Sequence, residues 1–140
     1  MKEKILEAFE NLGFNLEYND TLGYSFFYEG INLLYMYNED DETFLNISVP
    51  GIYDLEEDNK EKYDALKEKI NSTLKYVKAY TLCNSLWIFY ERDLLGNEDL
   101  EEVIRRMVLQ LAAALMFARD VIDKIENGES DKTTDDDNNE

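Results

Sequence analysis

The chain has 140 residues, of which 44% are hydrophobic, and this is enough apolar material for the core of one domain. Its 32 acidic residues outnumber the 14 lysines and arginines, which gives a formal net charge of -18. A surface this acidic repels nucleic-acid phosphate and anionic membranes, so neither is an expected partner. Cys83 is the single cysteine and forms no internal disulfide, so we expect a cytoplasmic protein in which this residue is buried and inert.

The first half of the chain predicts one helix followed by strands. Apolar residues recur at helical spacing over residues 1–12 and are followed by a glycine, which predicts a short amphipathic helix. The hydrophobic period then changes to two, which predicts three strands at about 23–29, 31–38 and 43–49. Tight turns join these strands, so we expect them to pair antiparallel.

A second helix and two further strands are predicted next. Asp58 forms a capping-box pattern with Glu61, and a narrow apolar stripe that ends at Leu74 follows them. Residues 76–93 are rich in β-branched and aromatic types, and the turn residues at 84–85 divide them into two strands.

The strongest pattern lies near the C-terminus. Apolar residues recur at three- and four-residue steps from Leu100 to Ile125, which predicts a third helix over 100–126. Residues 127–140 contain nothing apolar to bury, so we expect a disordered acidic tail after a single domain over 1–126. The order α-β-β-β-α-β-β-α predicts an α+β fold with a five-stranded antiparallel sheet.

Motifs for catalysis and metal binding are missing from the sequence. It has no histidine, so the commonest general base is unavailable and no Cys/His metal-ligand spacing can form. The acidic clusters at 39–42 and 54–58 lack the liganding pattern of a calcium loop, and we interpret them as a solvated turn and a helix N-terminus. We therefore expect no catalytic residue, no metal site and no cofactor. A carboxylate-only hydrolase is a third functional class, but no pattern places two carboxylates together.

One face of the predicted sheet is unusually aromatic. Alternation places aliphatic residues such as Leu34 and Ile47 on the other face, which we expect helices one and three to cover. The aromatic face collects Tyr24, Phe26, Tyr28, Leu33, Tyr35, Tyr37, Tyr76, Tyr80, Trp87 and Phe89. Either helix two covers this face or part of it is a dimer interface or a ligand groove. The candidate partner-binding residues here are Tyr35, Tyr37, Tyr80, Trp87 and Phe89.

Helix three carries a second apolar excess over residues 107–118, where Gln110 is the one polar residue. A helix that is apolar all round is buried on more than one side. Either helix one packs against the residues that lie off the main stripe, or a subunit or partner does. Leu109 and Met116 are the candidate partner-binding residues of this helix.

The element order, the pI of about 4.2, the chain length and the long C-terminal amphipathic helix resemble those of the bacterial type III secretion chaperones and the related YbjN-like proteins. The likeness covers residues 1–126. It implies a non-enzymatic homodimer that binds a segment of a client protein on apolar patches. It carries over no catalytic residue, because the family has none.

The leading functional hypothesis is therefore a small protein-binding module that holds a client polypeptide or peptide on its apolar surface. The alternative is an acidic inhibitor of the immunity type that covers a basic toxin or nuclease, since high charge accelerates association with a cationic target. Salt distinguishes the two, because screening slows charge-steered association and leaves apolar binding nearly unchanged. A homodimer is expected because the apolar surface exceeds what three helices can cover.

Overall fold

A computed structural model describes residues 1–128, which form three helices and six strands. The helices are α1 (Lys2–Asn11), α2 (Lys60–Thr73) and α3 (Leu100–Glu126). The strands are β1 (Glu17–Asn19), β2 (Gly23–Tyr28), β3 (Ile31–Met36), β4 (Phe44–Asp54), β5 (Val77–Leu82) and β6 (Ser85–Asp93). The predicted disordered tail, apart from its first two residues, lies outside the described residues.

The six strands form one sheet in the order β1-β2-β3-β4-β6-β5, and every neighbouring pair is antiparallel. The first four strands are neighbours in the order of the chain. Helix α2 then leads from β4 to the edge strand β5, and β6 returns between them. The predicted α+β class with an antiparallel sheet is confirmed.

The predicted count of five strands is corrected to six, because β1 adds a short edge strand. Its three residues are all exposed, so no hydrophobic alternation marks them in the sequence. Turn chemistry holds the strand instead: the Asn19 side chain accepts hydrogen bonds from the N–H groups of Thr21 and Leu22, at 2.9 and 3.2 Å. Gly23 follows with φ +122°, and a Cβ atom here would lie 2.3 Å from the carbonyl oxygen of Tyr35.

Strand β4 continues past the proline at which the sequence predicts its end. The pairing with β6 shifts register between Val49 and Tyr53, so the segment containing Pro50 and Gly51 forms a bulge. A bulge accommodates a proline that cannot donate to the ladder. After the bulge, a side-chain hydrogen bond joins β6 to β4: Ser85 Oγ donates to the carbonyl oxygen of Tyr53 at 3.2 Å.

All three helices pack on the same face of the sheet. Buried residues from each helix join one core cluster with inward-facing residues of β2 to β6. Of the two alternatives for the opposite face, the one in which α2 covers it is therefore wrong. The helical members of this core are Ile5, Ala8, Phe9, Tyr63, Leu66, Ile70, Ile104, Met107, Val108, Leu111, Ala114, Leu115 and Ala118.

The loop before helix α3 is stabilised by hydrogen bonds from its backbone to two acidic side chains. The Glu98 carboxylate accepts hydrogen bonds from the N–H groups of Leu95 and Gly96, at 2.8 and 3.0 Å. These bonds, chiefly the one from Leu95, hold the pKa of Glu98 below its usual value. Asp99 caps the helix by accepting from the N–H of Glu102 at 3.3 Å. Within the described part of the chain, no helix is long and apolar enough to cross a membrane.

Candidate partner-binding surface

The predicted aromatic face is divided between the two sides of the sheet. Tyr35 pairs with Ile47 across β3 and β4, so these two residues share a face, and Leu34 lies on the other. The sequence-based assignment was therefore inverted for β2 and β3. The residues that this moves to the helix-covered face are Tyr24, Phe26, Tyr28, Leu33, Tyr35 and Tyr37.

Tyr35 is a core residue rather than a surface anchor. Its side chain is fully buried, and its ring lies 5.3 Å from that of Phe9 in α1 and stacks on that of Tyr24 at 5.9 Å. Burial raises the pKa of Tyr35 well above its ordinary value. The Tyr35 hydroxyl has no hydrogen-bond partner among residues 1–128. Tyr35 is therefore withdrawn from the candidate partner-binding surface.

Tyr37 is partly buried under the start of α1. The Lys2 ammonium group lies 4.7 Å from the centre of its ring and 5.7 Å from that of Tyr24, which are cation–π distances. Desolvation raises the pKa of Tyr37, with a further contribution from the Glu42 carboxylate. Tyr37 is therefore engaged by the protein's own first helix.

The opposite side of the sheet carries a second, smaller apolar cluster. Leu34, Trp87 and Phe89 are its buried members, and it includes no residue of α1, α2 or α3. We call this side the helix-free face. Its apolar side chains are Leu22, Phe27, Leu34, Met36, Tyr80, Leu82, Trp87 and Phe89.

Three aromatic rings on β5 and β6 form a stack on the helix-free face. The rings of Tyr80 and Phe89 lie 4.2 Å apart and within 9° of parallel. Trp87 and Phe89 lie 5.8 Å apart and within 11° of parallel. Tyr80, Trp87 and Phe89 are thus the three predicted binding residues that the structure brings together. Tyr80 is 37% exposed, so one end of the stack is open to solvent.

Phe27 is the residue on this face that the sequence analysis missed. It is 68% exposed on β2, where it pairs with Asn32. Its neighbour Phe26 is buried against α1, so the two adjacent phenylalanines lie on opposite faces. The sequence contains a signal for Phe27, because two consecutive aromatic residues in one strand place one ring on each side of the sheet.

Polar groups border the aromatic stack. The Glu91 carboxylate accepts from Lys78 Nζ at 2.6 Å and from Asn46 Nδ2 at 3.3 Å. The bond to Glu91 raises the pKa of Lys78, and burial raises that of Tyr80. Ser48 Oγ and Asn46 Oδ1 are buried without a hydrogen-bond partner in the described structure. A hydrogen-bond donor from a bound partner would supply the hydrogen bonds that Ser48 Oγ and Asn46 Oδ1 lack.

The outer side of α3 is a second exposed apolar region. Leu109 is 41% exposed and Met116 is 62% exposed, so the alternative in which α1 covers them is wrong. Helix α1 contacts the beginning of α3 instead, where Asn11 Nδ2 donates to the Glu101 carboxylate at 2.8 Å. Both predicted residues of α3 are therefore accessible.

The remaining candidates supply no reactive site. Cys83 is exposed rather than buried, because it lies in the two-residue turn between β5 and β6 with φ +54°. Among residues 1–128, no group of three or more acidic or cysteine side chains is arranged to hold a metal ion. Comparison with protein-family models gives no match, and comparison with curated proteins gives none either.

Proposed function

We propose that this protein is a non-enzymatic binding module that holds an extended segment of a client polypeptide on its helix-free face. The observation that carries the proposal is the stack of Tyr80, Phe89 and Trp87, together with exposed Phe27, on the side of the sheet opposite the three helices. Aromatic residues with polar tips are enriched where proteins bind one another.

The spacing of the exposed rings indicates the length of the client segment. Phe27 lies on β2 and Tyr80 on β5, which are separated by β3, β4 and β6. Four strand spacings amount to about 19 Å. About six residues of extended chain cover this distance, so two apolar side chains some five or six residues apart could each contact one exposed ring.

The net charge of the chain indicates which residues lie beside the apolar side chains of the client. The chain's net charge of -18 favours a client with lysine or arginine beside its apolar residues. On the face itself, Glu91 is one carboxylate that such a cation would meet, in competition with Lys78. Apolar contacts would supply affinity, and charge would supply rate and selectivity.

The resemblance to type III secretion chaperones and YbjN-like proteins supports the same proposal, since it implies client binding on apolar patches. Membership of that family and a cytoplasmic location, the latter inferred from the single cysteine, belong to the proposal as well.

An acidic inhibitor of a basic toxin or nuclease is the second candidate function. The observation that favours it is the exposed acidic loop at 39–42, in a chain that is acidic overall. Under that function the association rate would fall steeply from low to physiological ionic strength. Under the proposed function it would fall less, because apolar contacts carry most of the binding and charge acts only through the residues that flank them in the client.

A peptide selection tests the proposed function. A random library of displayed peptides is selected against the wild-type protein, and the affinity of recovered peptides is then measured for Phe27→Ser and Tyr80→Ser. We expect each variant to bind about tenfold more weakly, because truncation of an interface anchor costs more than about 1 kcal/mol.

The matched control is Leu95→Ser, since Leu95 is 80% exposed in the loop before α3 and lies outside the helix-free face. Its affinity for the peptides should equal that of the wild type. Recovered peptides that bind all three variants with wild-type affinity would place the binding site elsewhere and refute the proposal.

A further inference from the structure

Strands β3 and β4 separate at one end of the sheet. Their pairing stops at Leu34 and Ser48, although β3 begins at Ile31. The same register would next pair Asn32 with Pro50, and a proline has no N–H to donate to the ladder. A cleft therefore lies between the beginning of β3 and the bulge of β4, with one side of α3 beside it. We call it the β3–β4 cleft.

The walls of the β3–β4 cleft are mainly apolar. Ile31 of β3, Ile52 of the bulge and Ile122 of α3 line it, together with Leu115, which lies two turns before Ile122 on the same side of the helix. The three isoleucines are only partly buried at the border of the main core. Their remaining apolar surface is therefore accessible to a side chain that enters the cleft.

Arg119 is the charged residue that lines the β3–β4 cleft. The other arginines of the chain, Arg92, Arg105 and Arg106, each form an ion pair with a glutamate. Arg119 forms no ion pair or hydrogen bond with any side chain among residues 1–128, and none of the 32 acidic residues lines the cleft in that part of the chain. The charge of the cleft is therefore opposite to that of the whole protein, and it favours an anionic group.

The backbone of Asn32 faces the β3–β4 cleft. The two-residue turn at 29–30 makes Tyr28 and Ile31 a hydrogen-bonded pair, so Asn32 and Leu34 direct their N–H and C=O groups towards β4. Leu34 has Ser48 as its partner there, whereas Asn32 has no partner in the ladder with β4. A strand residue in this position offers one donor and one acceptor, which the backbone of an extended peptide complements.

We infer that the β3–β4 cleft binds the carboxyl terminus of a polypeptide whose last residue is apolar. The terminal carboxylate accepts two hydrogen bonds from the guanidinium group of Arg119, which matches it in shape and charge. The last side chain packs between Ile31, Ile52 and Ile122, and the backbone before it pairs with Asn32. Two or three extended residues, about 7–10 Å of chain, are enough for these contacts.

The contact with Asn32 distinguishes a polypeptide from a free apolar carboxylic acid. Such an acid would use Arg119 and the apolar walls, but it would leave the backbone groups of Asn32 without a partner. The inference does not rest on the proposed function, because Tyr80 of the helix-free face lies on edge strand β5, three strands away from β3.

A selection of peptides displayed with free carboxyl termini tests the inference. We expect the recovered peptides to share an apolar last residue. A recovered pentapeptide is then synthesised as the acid and as the C-terminal amide, and the affinity of each is measured by calorimetry. The protein's net charge of -18 repels an added negative charge at long range, so tighter binding of the acid requires a local cation. We expect the acid to bind at least about tenfold more tightly than the amide.

Substitution of Arg119 tests which group holds the carboxylate. Arg119→Gln should weaken binding of the acid about tenfold and leave the amide unchanged, so the difference between the two peptides should disappear. Arg106→Gln is the matched control, because it removes the same charge from an exposed arginine of the same helix. It should bind both peptides like the wild type, and circular dichroism should show both variants to be folded.

Five results would overturn the inference. The selection recovers no peptide, the acid and the amide bind equally, or Arg119→Gln binds the acid like the wild type. In the fourth, isocaproic acid binds as tightly as the peptide, which would make the ligand a free carboxylic acid. In the fifth, Tyr80→Ser abolishes binding, which would place these peptides on the helix-free face. Failure of the proposed function alone leaves all of these measurements as expected, because they depend on Arg119 and not on Tyr80.

Discussion

Replacement of the buried Tyr35 by phenylalanine should stabilise the protein. The Tyr35 hydroxyl lies in the core and has no hydrogen-bond partner among the described residues. A buried polar group left unpaired costs about 1–3 kcal/mol, and loss of one oxygen leaves only a small void. We expect Tyr35→Phe to raise the free energy of unfolding by about 1 kcal/mol, which corresponds to a Tm increase of roughly 3–6 °C at this chain length.

Two comparison variants define the scale of this effect. Tyr63 is equally buried, but its hydroxyl is hydrogen-bonded to Thr81, so Tyr63→Phe should destabilise by about 1 kcal/mol. Tyr35→Ala removes the ring contacts to Phe9 and Tyr24 and should cost about 3–5 kcal/mol.

Urea and thermal unfolding followed by circular dichroism measure all three variants. If Tyr35→Phe lowers the free energy of unfolding by 1 kcal/mol or so, the hydroxyl has a partner and the reasoning fails. If Tyr35→Ala leaves stability unchanged, Tyr35 is a surface residue, as the sequence analysis predicted.

Two further results are expected. The Asn71 side chain accepts a hydrogen bond from the Ala79 N–H at 2.7 Å and donates one to the Ala79 carbonyl oxygen at 3.0 Å. Asn71→Ala should therefore lower the free energy of unfolding by about 1–3 kcal/mol, measured by denaturant titration, and should expose the β5 edge to aggregation, measured by light scattering. A variant as stable and as soluble as the wild type would contradict this. Hydrogen bonds from Arg105 and then Arg106 lower the pKa of Glu102 from 4.5 to about 2, so the stability from this carboxylate is present above pH 4.5 and is lost as the pH falls towards 2. Glu102→Gln should flatten the dependence of Tm on pH in that window, and an unchanged slope would count against the pairing.

The helices and the class of the sheet could be predicted because an element that buries only one of its sides shows a clear hydrophobic period in the sequence. Helix α3 extends from Leu100 to Glu126, the same bounds that its apolar steps predict. The start of α2 was placed at Asp58, whereas Asn59 occupies the capping position before Lys60. Both residue types suit a helix start, so the sequence alone does not separate them.

The faces of β2 and β3 could not be predicted because both of their sides are apolar. Leu33, Leu34 and Tyr35 follow one another in β3 and are all buried, so alternation gives no indication of which side faces the helices. In β5, by contrast, polar Lys78 separates Val77 from Ala79, and the sides are distinct. That difference explains why Tyr80 was placed on the correct side of the sheet and Tyr35 was not.

Fluorescence of Trp87 during a peptide titration tests the central claim most directly. Trp87 is the single tryptophan of the chain and lies on the helix-free face beside Phe89, so its emission reports contact at that face. With a tryptophan-free peptide from the selection, the proposed function predicts a saturable change in emission in the wild type and in Leu95→Ser. Tyr80→Ser should require about tenfold more peptide for the same change. Calorimetric binding with no change in Trp87 emission would contradict the account.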